Sequence, residues 1–215
     1  MNKELIIQNT REFVKNIFDD EASGHDYWHI ERVRKTTLTI AKEEGADVFV
    51  CEMAALLHDV ADEKLNDSVE DANTRLINFL DSQELPSEDT KHILEIIRGI
   101  SFKGGHNSVN LSLEGKIVQD ADRLDAIGAI GIARTMAYSG NKGRLIHDPS
   151  MKARENMTLE EYRSGQDTAI MHFYEKLLKL KDLMNTETGK KLAQHRHWFM
   201  LDYLEEFYAE WNGEK

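Results

Sequence analysis

Three short stretches of the chain gather imidazole and carboxylate groups at spacings that suit a divalent cation. In His25-Asp26-Tyr27-Trp28-His29-Ile30-Glu31-Arg32-Val33 the two histidines stand four residues apart and Arg32 three further on, so a helix would put all three on one face. Taken alone, such a pair serves a solvated or capped helix end as well as it serves a metal. The second stretch, Ala54-Ala55-Leu56-Leu57-His58-Asp59-Val60-Ala61-Asp62, sets an imidazole beside a carboxylate directly after an apolar run. Burying both without a partner is costly, and a cation removes that cost. The third, Gln119-Asp120-Ala121-Asp122-Arg123-Leu124-Asp125, follows the apolar Ile117 and Val118 and offers three carboxylates. Spacing does not choose among Asp120, Asp122 and Asp125, nor between His25 and His29.

The elements that must position these groups read as helices throughout. Two prolines, Pro86 and Pro149, interrupt the chain, and apolar residues recur at three- and four-residue spacing. Asp26 is a candidate N-cap for a helix from Tyr27 to Glu44, ended near Gly45, with Ile30, Val33, Thr37 and Ile40 inward. A second helix is expected from about Asp47 through His58. Ser68 caps a third with Ala72, Leu76, Phe79 and Leu80 inward, and Ser87 a fourth with Ile93, Ile96, Ile97 and Ile100. A fifth starts near Ser112 and runs into the stretch AIGAIGIA, where glycines permit a bend or a close approach. Between Tyr138 and Thr158 the sequence reads as a long surface loop or lid. Thr158 and Glu161 form a capping box for a long helix with Phe173, Leu177, Leu180 and Met184 inward. A last helix with Leu192, Phe199, Leu204, Phe207 and Trp211 stops near Gly213.

The spacing of a first histidine, a His-Asp dipeptide and a later aspartate resembles the HD-domain superfamily of metal-dependent phosphohydrolases. The phrases HDYWHIERV, AALLHDVADEK and VQDADRLDAIG resemble its bacterial nucleotide pyrophosphohydrolase-like subgroup. The likeness spans 24–137, and the tail LLKLKDLMNTETGKKLAQHR resembles that subgroup's C-terminal helices, expected over 158–213. It implies an all-α fold, a single HD-type helical bundle over 1–215. It also implies a metal held by His29, His58, Asp59 and Asp122, with Asp120, Asp125, His25 and Asp26 as outer, capping or substrate-facing groups. Members with two metals use further paired histidines; here the interval holds His92 and His106 unpaired, which favours one ion. Two imidazoles and two carboxylates suit Mn²⁺, Fe²⁺, Co²⁺, Ni²⁺ or Zn²⁺ and, less well, Mg²⁺. The resemblance favours Mn²⁺.

Asp62, three residues after Asp59, would face the same pocket on a continued helix and handle the proton of an attacking water, with Lys64 beside it. A polyphosphate needs cations besides the metal, and Arg32, Arg98, Lys103, Lys176 and Arg196 are the candidates. Tyr27, Trp28 and Phe102 offer faces on which a base can stack. The resemblance implies hydrolysis of (deoxy)nucleoside triphosphates to monophosphate and pyrophosphate. A 5′-nucleotidase or a phosphodiesterase would use the same metal site, and a nucleotide-sensing module would bind without turnover.

Composition bounds the partners. At 215 residues, 40% hydrophobic and 31% charged, the chain is sized for one soluble globular domain. A formal net charge of −12 disfavours duplex nucleic acid, whose affinity comes from many basic contacts, but not a small anionic nucleotide met by local cations and a metal. No apolar run reaches the length of a membrane span, and the N-terminus lacks a signal-peptide pattern, so a cytoplasmic enzyme without a membrane partner is expected. A homodimer is compatible with the sequence. The lone Cys51 sits in an apolar stretch as a small buried thiol.

Overall fold

The computed structural model describes residues 1–18, 26–63, 65–100, 110–154 and 167–215. Among these the chain is all-α, with nine α-helices and one 3-10 helix and no strand. The contacts divide it into two compact units, Met1–Ala121 and Asp122–Lys215.

In the first unit, helices α1 (Lys3–Phe18) and α2 (Tyr27–Glu44) pack on the short α3 (Val48–Leu57), with α4 (Val69–Ser82) and α5 (Ser87–Ile100) following. Helix α3 is VFVCEMAALL, apolar on nearly every side, and it is buried accordingly against α1, α2 and α5. Asp47 caps it, its side chain accepting from the backbone N–H of Phe49 and Val50. Helix α2 starts where Asp26 accepts from the His29 N–H and stops at Gly45, whose φ of 71° closes the C-terminal turn without strain. Its stripe of Ile30, Val33, Thr37 and Ile40 is fully buried. Ser68 caps α4 as expected. Ser87 is instead the first helical residue of α5, and the carbonyl of Pro86 accepts the first helical bond from Thr90. Helix α1 was absent from the expected elements, although Ile6, Thr10, Val14 and Phe18 form its buried stripe.

Helix α6 (Leu113–Asp125) crosses the division between the units. It does not run on through AIGAIGIA: a turn at Ala126–Ile127 separates it from α7 (Gly128–Asn141). Gly128 has φ 74°, and a Cβ on Gly131 would meet the Ala126 carbonyl oxygen at 2.2 Å, so both glycines are required by the turn. In the second unit α7 packs on α8 (Ala169–Glu175) and on α9 (Glu187–Trp211), and a 3-10 helix (Leu177–Leu183) packs on α8 and α9.

The long helix expected from Thr158 is not continuous. Its start lies outside the described residues, α8 begins after the N-cap Thr168, and Lys176 at φ −135°, ψ −59° breaks it before the 3-10 turn. Phe173, Leu177, Leu180 and Met184 are nevertheless all buried: Phe173 belongs to α8, Leu177 and Leu180 share a side of the 3-10 helix because they stand three apart, and Met184 follows at its C-cap. In α9 the buried positions are Gly189, Ala193, Met200 and Leu204, whereas Phe199 and Trp211 are about half exposed. The described part of the loop after Tyr138 is fastened within this unit. Arg144 pairs with Asp167 at 2.9 Å, the Leu145 and Ile146 carbonyls accept from Ala169 and Ile170, and Arg154 grips Glu175 with its backbone and its guanidinium.

Candidate metal centre

Two helix ends and one turn build the site. His29 is the third residue of α2, fully buried, and the Asp26 side chain accepts from its backbone N–H at 2.7 Å, which fixes the first turn that carries the imidazole. His58 is the C-cap of α3, and its Nδ1 lies 2.8 Å from the Ala55 carbonyl oxygen. A carbonyl only accepts, so Nδ1 carries the proton and Nε2 presents its lone pair, the arrangement a metal-ligating histidine uses. Asp59 follows in the turn. Its Oδ1 is 3.3 Å from His58 Nε2 and its Oδ2 3.5 Å from His29 Nε2. The two rings stand edge to face with centroids 5.4 Å apart.

These three residues are the one group of metal-ligand type among the described residues, with donor atoms all within 4.8 Å of one another. Two donors each about 2.1 Å from one ion are roughly 3.0 to 3.4 Å apart for angles between a right angle and the tetrahedral one; the 3.3 Å separation lies within that range and the 3.5 Å one just above it, close to what a shared ion needs. Nitrogen and carboxylate together suit a first-row divalent metal. Cys51 is no competitor: burial pushes its thiol up to about 12, with Glu114 and Asp47 adding to the shift, so it stays protonated.

The other expected site residues fall as follows. Asp122 is half-buried in the last turn of α6. Asp120 is fully buried on the same helix, and Asp125 is buried and paired with Arg134 at 2.9 Å. Asp62 is half-buried, but α3 ends at Leu57, so the helix thought to aim it does not persist. Asp62 sits instead in a tight turn, its own N–H donating to the Asp59 carbonyl. Arg32 is half-buried on α2 and Arg98 exposed at the end of α5. Lys176 caps α8, and Arg196 donates to the Leu124 carbonyl within the second unit. Tyr27 is buried with its hydroxyl on Glu31, which removes its face from stacking, whereas Trp28 is 65% exposed. His92 lies near Ser112 and Glu114, not in the metal group. His25, Lys64, Phe102, Lys103 and His106 lie outside the described residues.

Sequence reading missed two supports of the centre and a buried acid close to it. The Ala55 carbonyl that sets the His58 tautomer has no side-chain signature. Asn66 staples the turn after Asp59 by donating to the carbonyls of Val60 (3.1 Å) and Asp62 (2.9 Å), a role its place in the polar run Asn66-Asp67-Ser68 could have suggested. Glu31, 3% exposed, is a buried acid two residues from His29. A carboxylate inside an otherwise apolar stripe was its signal.

No described helix is long and apolar enough to cross a membrane. The HD-domain family model matches residues 27–127. The protein YpgQ of Bacillus subtilis is 40% identical over 199 residues, covering 92% of this chain and 89% of that one. Its crystal structure in complex with ADP superposes with a TM-score of 0.78 at 37% identity, covering 95% of this chain and 97% of that one. An HD-superfamily hydrolase of Bacillus thuringiensis superposes at 0.80 with 47% identity, covering 98% of this chain and 99% of that one. A Lactobacillus plantarum protein superposes at 0.85 with 44% identity, covering 99% and 100%. Matched along nearly its whole length by such relatives, and over the helices that carry its metal group by the family model itself, this chain belongs to the HD-domain superfamily of metal-dependent phosphohydrolases.

Proposed function

We propose that the chain hydrolyses (deoxy)nucleoside triphosphates to the monophosphate and pyrophosphate at one divalent ion, Mn²⁺ favoured, held by His29, His58 and Asp59 with Asp122 as fourth ligand. The observation that carries the nucleotide is the ADP bound to the similar B. subtilis YpgQ. When bound, the ion supplies a water of lowered pKa and draws charge from a phosphoryl oxygen. His29 and His58 hold it with the lone pairs of Nε2, and the carboxylates offset its charge. Asp62 takes the proton as water adds to the α-phosphorus and the bond to the bridging oxygen breaks, with pyrophosphate leaving. Lys64 is proposed to act beside Asp62 in catalysis, and Arg32, Arg98, Lys103, Lys176 and Arg196 are the cations proposed to meet the phosphates. The charge spread over the transferring group calls for several of them.

The test is product identity. Metal-stripped protein is resupplied with Mn²⁺, Mg²⁺, Co²⁺, Ni²⁺ or Zn²⁺ and given nucleoside tri-, di- and monophosphates and a cyclic dinucleotide, beside Asp59→Ala. Monophosphate and pyrophosphate formed only with metal and lost in Asp59→Ala support the proposal. Orthophosphate released from monophosphates makes the enzyme a 5′-nucleotidase, and cleavage of the cyclic dinucleotide makes it a phosphodiesterase. Tight ADP binding with no turnover of any substrate makes it a sensor.

A further inference from the structure

Helix α2 carries His29, His58 caps the end of α3 and Asp59 follows it, and one arginine side chain ties the two helices together. Arg34 donates through Nε and Nη2 to Glu31 Oε2 at 3.3 and 3.2 Å, and through Nη1 to Glu52 Oε1 at 2.6 Å. Glu31 is on α2 and Glu52 on α3. The Glu31 carboxylate also accepts from Arg11 Nε on α1 at 2.8 Å and from the Tyr27 hydroxyl at 3.2 Å. Arg34 and Glu52 have side chains 15% exposed and Glu31 5%. A buried, multiply paired acid of this kind is a poor device for stability, since a well-packed apolar residue would serve as well or better. What it supplies is direction. The apolar burial along the two helices, of Ile30, Val33 and Ile40 on α2 and of Met53, Ala54 and Leu56 on α3, is non-directional and by itself permits small slides and rotations. A metal tolerates donor positions only within about 0.2 Å.

We propose that Glu31, Arg34 and Glu52 are positioning residues for the metal centre: the planar fork of Arg34, held between an acid of α2 and an acid of α3, sets the spacing of His29 from His58 and Asp59. The inference rests on the metal reading above. Lysine at position 34 keeps the charge but has no rigid fork, so it reaches one acid at a time.

The test measures the Mn²⁺ affinity of the metal-free full chain by competition with a fluorescent chelator, alongside thermal unfolding. Arg34→Lys and Glu52→Gln are each expected to weaken Mn²⁺ binding roughly 10-fold, the scale of losses when groups supporting a ligand are removed. The double variant is expected to lose no more than either single one, because both break the same tie. Arg154→Lys, which loosens the buried Arg154–Glu175 pair of the other unit, controls for general destabilisation and is expected to leave Mn²⁺ affinity unchanged. Unchanged affinity in Arg34→Lys and Glu52→Gln, or an equal loss in Arg154→Lys, overturns the assignment. A parent chain that binds none of the divalent ions overturns the metal reading itself, and the inference with it.

Discussion

Divalent metal should stabilise this protein, and Asp59 should decide whether it does. The three donors are already gathered, none more than 8% exposed, with His58 locked in the ligating tautomer and His29 fixed by the Asp26 cap. Binding therefore needs little rearrangement, and its free energy appears as added stability. At free Mn²⁺ 100 times the Kd, linkage gives about 2.7 kcal/mol. For a chain of this size each 1 kcal/mol moves the midpoint by roughly 2–4 °C, so the expected rise is about 5–11 °C. Asp59→Asn keeps the shape but removes the anionic ligand that lies between both imidazoles. If that weakens binding 100-fold, the same Mn²⁺ concentration leaves only about 0.4 kcal/mol, a shift of roughly 1 °C. Metal-free protein is melted by circular dichroism with and without Mn²⁺, with a chelator to reverse the shift. An equal rise in parent and variant would refute the assignment of Asp59, and a parent midpoint unmoved by every first-row divalent ion would refute the site.

Gly131→Ala should cost about 3 kcal/mol or more, since its Cβ would lie 2.2 Å from a backbone oxygen that cannot step aside. Denaturant unfolding should rank it well below Gly45→Ala, which has open space and pays only for φ 71°, about 1–2 kcal/mol. At Glu175 burial works to raise the carboxyl, but hydrogen bonds from the Arg154 guanidinium and backbone outweigh it, so the folded group titrates below its ordinary range. Its contribution is thus present above the unfolded carboxylate pKa and fades as pH falls through the lower folded value. In Arg154→Met, where Glu175 is left buried and unpaired, the slope should reverse, with stability at pH 7 down by about 3 kcal/mol and recovering on mild acidification in urea titrations. Trp28→Ala should weaken ADP binding, measured by calorimetry, by the roughly 1–3 kcal/mol of one stacked base, and leave inorganic pyrophosphate unaffected. Equal loss for both ligands would remove the base from Trp28.

Local chemistry made much of this protein legible in its sequence. Helical periodicity gave the buried stripes of α2, α4 and α5, because the face that meets the core is written in the spacing of Ile, Leu and Val. Asp26, Asp47 and Ser68 announced helix starts, since a cap acts within its own turn. His29 and the His58-Asp59 pair stood out because polar groups beside apolar runs need a partner. Tertiary structure decided what depends on residues far apart in the chain. Only the fold brings the imidazoles of α2 and α3 to one carboxylate. It turns Arg34 into a bridge and spends Tyr27 on Glu31. The end of α3 at Leu57 put Asp62 in a tight turn stapled by Asn66 and not on a helix face. The break at Lys176 was not legible either: periodicity records which side of a helix is apolar and not where the helix is interrupted.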